Sequence, residues 1–196
     1  MKKYLFLFLI ALFTTSAMAQ DAMLTKEETV NYLNRKSQEI VDHYHTYIDG
    51  IDWGRVQYSK ISFSLKGDKV ELKYEGNGSK AEKDCSTPLR SEIVGSYQFN
   101  PAHLSRMLVV RAEKPNEPVR RLRVYFSAKT VRSSGYAVGR NGCGGSSYSN
   151  PDRLVSSRDE LELPFFANDP TNLAKIQKAL LHLRDLAMAE DDPFGN

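Results

Sequence analysis

Apolar side chains recur at helical spacing near the N-terminal end of the chain. Thr25 and Glu28 have the spacing of a capping box, in which each side chain bonds the backbone amide of the other residue. The apolar positions that follow are three or four residues apart, which places them on one face of a helix. With the small residue Ser37 included, this face consists of Val30, Leu33, Ser37, Ile40 or Val41, Tyr44 and Ile48. The pattern predicts an N-terminal helix within residues 24–48.

A second amphipathic helix is predicted near the C-terminus, over residues 169–188. Asp169 can cap it, and Pro170 suits the first helical position, where no backbone N–H is required. Its apolar stripe consists of Leu173, Ile176, Leu180, Leu183 and Ala187. Burial of the four large aliphatic side chains would contribute on the order of 6–12 kcal/mol before entropy is counted. We therefore expect the stripe to pack against a sheet face or the mouth of a barrel.

Between these helices, residues 54–166 alternate between apolar and polar positions, as strands do. Segments 56–65 and 69–74 flank a short Gly67-containing turn, which predicts a hairpin. Further strand candidates are residues 92–99, 106–112, 119–127, 130–138 and 160–165. Because the connections are short, the strands are expected to pair antiparallel. The predicted fold class is α+β, with an N-terminal helix, an antiparallel sheet of about seven strands or a partly closed barrel, and a C-terminal amphipathic helix.

This order of elements resembles the pleckstrin-homology-like barrel over residues 54–188. The resemblance is one of topology, and the tryptophan usual in the C-terminal helix of pleckstrin-homology domains is absent here. It implies a superfold that hosts lipid, peptide and phosphopeptide binding, so it does not specify one function. The chain is also similar to exported bacterial proteins whose C-terminal helix contains a segment like Lys178–Leu183. That similarity implies export and no particular activity.

The first nineteen residues have the three-part pattern of a cleaved secretion signal. Lys2 and Lys3 precede an apolar run, and the run leads to the small-residue site Ala17-Met18-Ala19. The run is about ten residues long, whereas a membrane span needs about twenty. We therefore predict cleavage after about Ala19 and one mature domain, residues 20–196, that is periplasmic or secreted and not an integral membrane protein.

Removal of the leader nearly neutralises the chain. The full sequence has 27 Lys+Arg against 24 Asp+Glu, and two of the lysines belong to the leader, so the mature chain has 25 against 24, or +1. This balance does not favour nucleic-acid binding. Residues 86–158 hold twelve basic and four acidic side chains, whereas residues 159–196 hold three basic and eight acidic ones. The two segments could face each other or be solvated, and the first could instead form a basic binding face.

Arginines concentrate in the predicted strands of the basic segment. Arg121 and Arg123 lie two residues apart and so share one strand face. Arg111 and Arg132 could lie beside them on neighbouring strands, and Arg140 belongs to the same basic segment. We treat these five as candidate residues for binding an anion, such as a lipid head group or a glycan carboxylate. The alternative is a charged outer sheet face that prevents edge pairing.

The two cysteines, Cys85 and Cys143, have three possible roles. An even number of cysteines in an oxidising compartment favours a disulfide, which would contribute on the order of 4 kcal/mol in the chain-entropy model. Two free thiols are the second possibility. As a third, Cys143 lies in the Gly-rich segment 139–151 and could be a nucleophile if a histidine acted as its base. That segment could also expose backbone amides to an anionic ligand.

No metal or cofactor motif is present. His43 and His45 lie two apart on the predicted helix and cannot chelate one metal together, and no phosphate-binding loop pattern occurs. Without a catalytic constellation, the sequence favours an exported, non-enzymatic binding or interaction domain. Its partner could be a cell-envelope protein, a lipid head group or a glycan. The alternatives are a small secreted cysteine hydrolase that uses Cys143 and a structural subunit of a cell-envelope assembly.

Overall fold

The computed structural model describes residues 24–49, 52–80, 89–114, 116–140, 147–150 and 155–191. Helix α1 spans Lys26–Gln38 and helix α2 spans Asn172–Asp191. The strands between them are β1 Tyr44–Asp49, β2 Asp52–Lys66, β3 Lys69–Lys80, β4 Leu89–Phe99, β5 Leu104–Val109, β6 Val119–Phe126, β7 Val131–Arg140, β8 Ser147–Asn150, β9 Ser156–Arg158 and β10 Glu160–Phe166. One turn of 3-10 helix, Pro101–His103, connects β4 to β5.

The strands form two antiparallel sheets. The large sheet has the order β1-β2-β3-β4-β7-β8, and β9 also pairs with β7. The small sheet has the order β10-β6-β5. Because β1 and β8 lie at opposite ends of the large sheet, the described strands do not close into a barrel. The α+β class, the antiparallel pairing and all seven predicted strands are confirmed, and the division into two sheets is new.

The predicted N-terminal helix is wrong beyond Gln38. Its capping box is present, because the Glu28 amide donates to Thr25 Oγ1 over 3.2 Å and the Thr25 amide donates to Glu28 Oε2 over 2.8 Å. The chain then turns at residues 39–42, where Asp42 has a left-handed φ of 67°. The following residues form β1, which is rich in aromatic and β-branched side chains and pairs along its whole length with β2. That pairing overrides the helical spacing of a few apolar residues.

The C-terminal helix begins three residues later than predicted. Asp169 caps the turn before it, because Asp169 Oδ1 accepts hydrogen bonds from the backbone and the hydroxyl of Thr171 over 2.8 and 2.7 Å. The helix then continues to Asp191 rather than ending at residue 188. Ile176, Leu180, Leu183 and Ala187 of the predicted stripe are buried, and Leu173 is half-buried. The predicted burial of the apolar stripe of this helix is therefore confirmed.

Helix α1 completes the edge of β2. The β1 ladder reaches β2 only as far as Gln57. Beyond it, the side chain of Asn34 accepts from the Phe63 amide over 2.6 Å and donates to the Phe63 carbonyl over 2.8 Å. Gln38 donates to the Ile61 carbonyl over 2.8 Å. Side-chain amides thus occupy backbone groups of β2 that a strand would otherwise bond.

The hydrophobic core lies between the inner face of the large sheet, the small sheet and the two helices. Its buried members include Ile61, Phe63, Val70, Leu72, Phe99 and Val131 from the large sheet, Leu122, Val124 and Leu163 from the small sheet, and Leu33, Ile176 and Leu183 from the helices. Further along the inner face, the ring of Tyr74 lies over Gly95 of the next strand. A Cβ atom on Gly95 would overlap that ring, so any larger residue there would displace the Tyr74 side chain.

Several sequence-based predictions fall outside the described residues. They are the leader, residues 1–19, and the two cysteines, Cys85 and Cys143. Neither helix of the described chain has the length and apolar character that a transmembrane span requires.

Core burial and surface exposure on the small sheet give a matched pair of variants. Leu122 on β6 is 0% exposed and Leu108 on β5 is 50% exposed. We expect Leu122→Ala to lower the free energy of unfolding by about 2–5 kcal/mol, because it leaves a cavity in the core. Leu108→Ala should change it by less than about 1 kcal/mol. Urea denaturation measures both, and equal effects of the two substitutions would contradict this placement of the core.

Candidate functional site

The predicted arginine row is neutralised within the fold. Arg121 and Arg123 do share one face of β6, but both pair with Glu162 on β10. Arg121 Nη1 lies 2.6 Å from Glu162 Oε2, and Arg123 Nη2 lies 2.7 Å from Glu162 Oε1. Burial alone would raise the pKa of Glu162, but the hydrogen bonds and charges of the two arginines outweigh it and hold that pKa below its usual value. These cations therefore join β6 to β10.

The other three candidate arginines do not join this row. Arg111 lies in the segment after β5 and is exposed. Arg140 ends β7, and its side chain lies outside the described part of the structure. Arg132 lies on β7 in the large sheet, where it is exposed and borders a groove. The predicted set thus divides among separate places, and among the side chains that the structure describes Arg132 borders the groove.

The groove crosses the outer face of the large sheet and has a volume of about 460 Å³. Strand register explains its composition, since Glu71 of β3, Gln98 of β4 and Arg132 of β7 are successive cross-strand partners. Lys73, Ser96 and Ser134 form the next row. The remaining lining residues are Tyr74, Glu75, Val94, Gly95, Gly135 and Val155.

Hydrogen bonds link the floor of the groove. Ser96 Oγ and Ser134 Oγ are 2.9 Å apart, and Gln98 Nε2 donates to Glu71 Oε1 over 3.2 Å. Glu71 is only 6% exposed, and its second oxygen, Oε2, forms an ion pair with Lys73 Nζ over 3.2 Å. Burial would raise the pKa of Glu71, but hydrogen bonds from Lys73 and Gln98 hold it below its usual value. The floor therefore carries an ionised carboxylate with unused acceptor capacity.

Arg132 supplies the opposite charge at the other side of the groove. It makes no ion pair with any residue that the structure describes. A free guanidinium can take a carboxylate or phosphate through two parallel hydrogen bonds. The described lining residues include no histidine, and the two serine hydroxyls bond each other. The charged and polar groups that these residues present can bind a polar ligand.

A second polar cluster lies buried where β1 meets the loop before β6. Glu117 is 6% exposed, and its carboxylate accepts from the Thr46 amide over 2.7 Å and from the Thr46 hydroxyl. His45 is 5% exposed and stacks on Tyr58, with 5.8 Å between ring centroids. The adjoining cavity is about 10 Å³, which is room for one water molecule. This cluster ties the 110–118 loop to the large sheet.

Sequence reasoning missed both sets of residues. The groove residues are the outward positions of three strands, and only the register aligns them. Period-two alternation could have identified these positions as outward, but it could not say which strands are neighbours. Glu117 stands in a proline-containing turn, where no periodicity distinguishes a buried carboxylate from an exposed one.

Comparison of the chain with protein-family models, curated proteins and solved structures finds no match to any of them. Among the described residues, no group of three or more His, Cys, Asp or Glu side chains could hold a metal ion. Function is therefore argued from the groove itself.

His45 should make stability depend on pH. Burial, and after it the nearby charge of Arg121, lowers the pKa of His45 to about 4, although Glu117 and Glu162 act in the opposite direction. Because the unfolded chain takes up the proton near pH 6.5, stability is full above that pH and falls by about 1.4 kcal/mol per unit as the pH drops towards 4. Denaturation at several pH values should show this slope in the wild type.

His45→Gln should remove that part of the slope, because glutamine does not titrate. The matched control is His103→Gln, at an exposed histidine in the turn before β5. The control should keep the wild-type slope. A slope that persists unchanged in His45→Gln would refute this assignment.

Proposed function

We propose that the protein is an exported, non-enzymatic binding domain whose ligand occupies the groove on the outer face of the large sheet. The observation that carries this proposal is that the Arg132 guanidinium, which has no ion pair among the described residues, lies in one groove with a hydrogen-bonded floor and a buried carboxylate. Glu71 Oε2 is paired with the Lys73 ammonium over 3.2 Å, and a carboxylate oxygen has a second lone pair that can accept from a ligand in the groove.

The chemistry of the lining favours a polyhydroxylated acid, such as an acidic sugar of an envelope glycan. Arg132 would bind the acid group, and Ser96, Ser134 and Gln98 offer hydroxyl and amide partners to ligand hydroxyls. Glu71 would accept from one of those hydroxyls. The groove extends about 10 Å across the three strands, which is two inter-strand steps, and about 13 Å along β3. These dimensions suit one or two sugar rings. The volume also lies within the usual range for small-molecule sites.

A lipid head group is the weaker choice for this site. The arginines that would have formed a cationic surface for it, Arg121 and Arg123, are ion-paired with Glu162, and Glu160 lies 3.8 Å from Arg123. The groove itself carries two acidic and two basic side chains, Glu71, Glu75, Lys73 and Arg132. Its net charge is therefore close to zero, whereas anionic membranes attract surfaces with clustered positive charge.

The cysteines are proposed to form a disulfide rather than a catalytic centre. Arg90 and Arg140 are cross-strand partners in β4 and β7. Cys85 lies five residues before Arg90, and Cys143 lies three residues after Arg140. Chain segments of that length reach up to about 16 and 10 Å, ample for the Cα separation of about 5.5 Å in a disulfide. The strand register thus supports the bridge over the alternative of a hydrolase that uses Cys143.

Export remains part of the proposal and is supported by the leader pattern of residues 1–19. The likeness to the pleckstrin-homology-like barrel also stays a hypothesis. It is supported by a strand-rich antiparallel body that is followed by a C-terminal helix. A structural role in a cell-envelope assembly would not require the unpaired polar groups of the groove, so we rank it below ligand binding.

Substitution of Arg132 tests the binding proposal. Glucuronate and glucose serve as probes because they differ in one carboxylate, and an NMR titration of the mature protein measures both affinities. We expect glucuronate to bind more tightly than glucose. Arg132→Gln should weaken glucuronate binding about tenfold, since a hydrogen bond to a charged group contributes about 1.5–3 kcal/mol. Glucose binding should not change.

The matched control is Arg35→Gln, which removes an exposed arginine of α1 that lies over the Tyr32 ring. It should bind both sugars like the wild type. Equal affinity for the two sugars in the wild type, or an unchanged glucuronate affinity in Arg132→Gln, would overturn the proposal.

The intact mass of the exported protein tests export and the disulfide together. We expect the mass of residues 20–196, with no alkyl group added when thiols are alkylated under denaturing, non-reducing conditions. After reduction, two alkyl groups should be added. A retained leader would contradict export, and alkylation without reduction would restore the hydrolase alternative.

A further inference from the structure

Strand β5 forms an open edge of the small sheet. Among the described strands it pairs only with β6. Leu108 and Val109 are adjacent, and 50% and 45% of their surfaces are exposed. Ser105 and Arg106 before them are exposed as well. Two neighbouring large apolar residues on an edge strand are unusual, because native proteins protect such edges from pairing with other chains.

The backbone of β5 presents unused hydrogen-bonding groups along this edge. The Val110 amide donates to the Arg121 carbonyl over 2.9 Å, so Val110 faces β6. In an antiparallel pair this orientation alternates, which turns the N–H and C=O groups of Met107 and Val109 away from β6. No described backbone hydrogen bond reaches these groups. They form a template for one more strand.

The positive charge along the β5 edge favours an acidic partner. Arg106 and Arg111 flank the two exposed apolar residues, and residues 104–111 contain no acidic side chain. The Arg106 guanidinium lies over the Tyr125 ring, 4.2 Å from its centroid, and makes no ion pair with a described residue. Pairing with a second copy of this strand would gather four arginines without a carboxylate, which like-charge repulsion disfavours.

We propose that the β5 edge binds an extended acidic segment of another protein as an added strand. The segment would bond the backbone of Met107 and Val109, cover Leu108 and Val109 with apolar side chains, and place carboxylates near Arg106 and Arg111. Arg106 lies on β5 and Arg111 lies two residues beyond its end, five residues apart in the chain, so the carboxylates would also be about five residues apart. This surface is separate from the groove and does not depend on the function proposed for it.

Hydrogen exchange of the mature protein tests this surface. The probe is a synthetic peptide of alternating valine and threonine with aspartate at both ends, five residues apart, and its partner probe has lysine in place of aspartate. We expect the aspartate peptide to slow exchange of the Met107 and Val109 amides at least tenfold. The lysine peptide should have no effect. No protection by the aspartate peptide would overturn the proposal.

Two variants separate strand addition from simple charge attraction. Val109→Pro removes an amide that points away from β6, so the hydrogen bonds between β5 and β6 are kept. Because the peptide loses a backbone donor, the affinity of the variant for the aspartate peptide should fall at least tenfold. The variant that combines Arg106→Glu with Arg111→Glu should bind the lysine peptide more tightly than the aspartate peptide. This second variant tests the proposal even if Val109→Pro fails to fold. Arg35→Gln, which removes an exposed arginine of α1 outside both surfaces, should bind the aspartate peptide like the wild type.

Three outcomes would contradict the proposal. The first is unchanged peptide binding in Val109→Pro. The second is an unchanged preference for aspartate in the doubly substituted variant. The third is protection of the same amides that rises with protein concentration in the absence of peptide, which would identify a second copy of the chain as the occupant.

Discussion

The attachment of α1 to the edge of β2 determines which face of the large sheet is available to a ligand. Asn34 and Gln38 bond backbone groups at Phe63 and Ile61, beyond the point where β1 stops pairing. This holds α1 at the inner face, where α2 packs beside it through contacts such as Lys26–Glu190 at 2.7 Å. With the inner face covered, the outer face of β3, β4 and β7 stays open.

Register then decides which charged residues are free. Arg121 and Arg123 stand opposite β10, where both form ion pairs with Glu162 and Arg123 also lies near Glu160. Arg132 stands in a row with Gln98 and Glu71. In this row the Glu71 carboxylate accepts a hydrogen bond from Gln98 and forms none with the Arg132 guanidinium. A residue of the same type is therefore structural in one sheet and available for binding in the other. Composition alone cannot separate these roles, because it does not specify neighbours.

Local patterns predicted the elements better than their pairing. The capping residues of α1, the stripe of α2 and the seven strands follow from short-range spacing. The helix boundary was wrong because Ile40, Tyr44 and Ile48 fit a helical period, yet Tyr44–Asp49 gain a full ladder with β2. The division into two sheets, the groove and the buried Glu117 depend on contacts between distant segments, which a single sequence does not reveal.

The central claim is that ligands bind at the outer face of the large sheet and not at the arginines of the small one. Chemical-shift mapping of the backbone amides during addition of an acidic oligosaccharide tests this claim most directly. The account predicts that shifts concentrate at Ser96, Gln98 and Ser134, while the amides of β6 stay unchanged. Shifts that concentrate around Arg121 and Arg123 instead would contradict it.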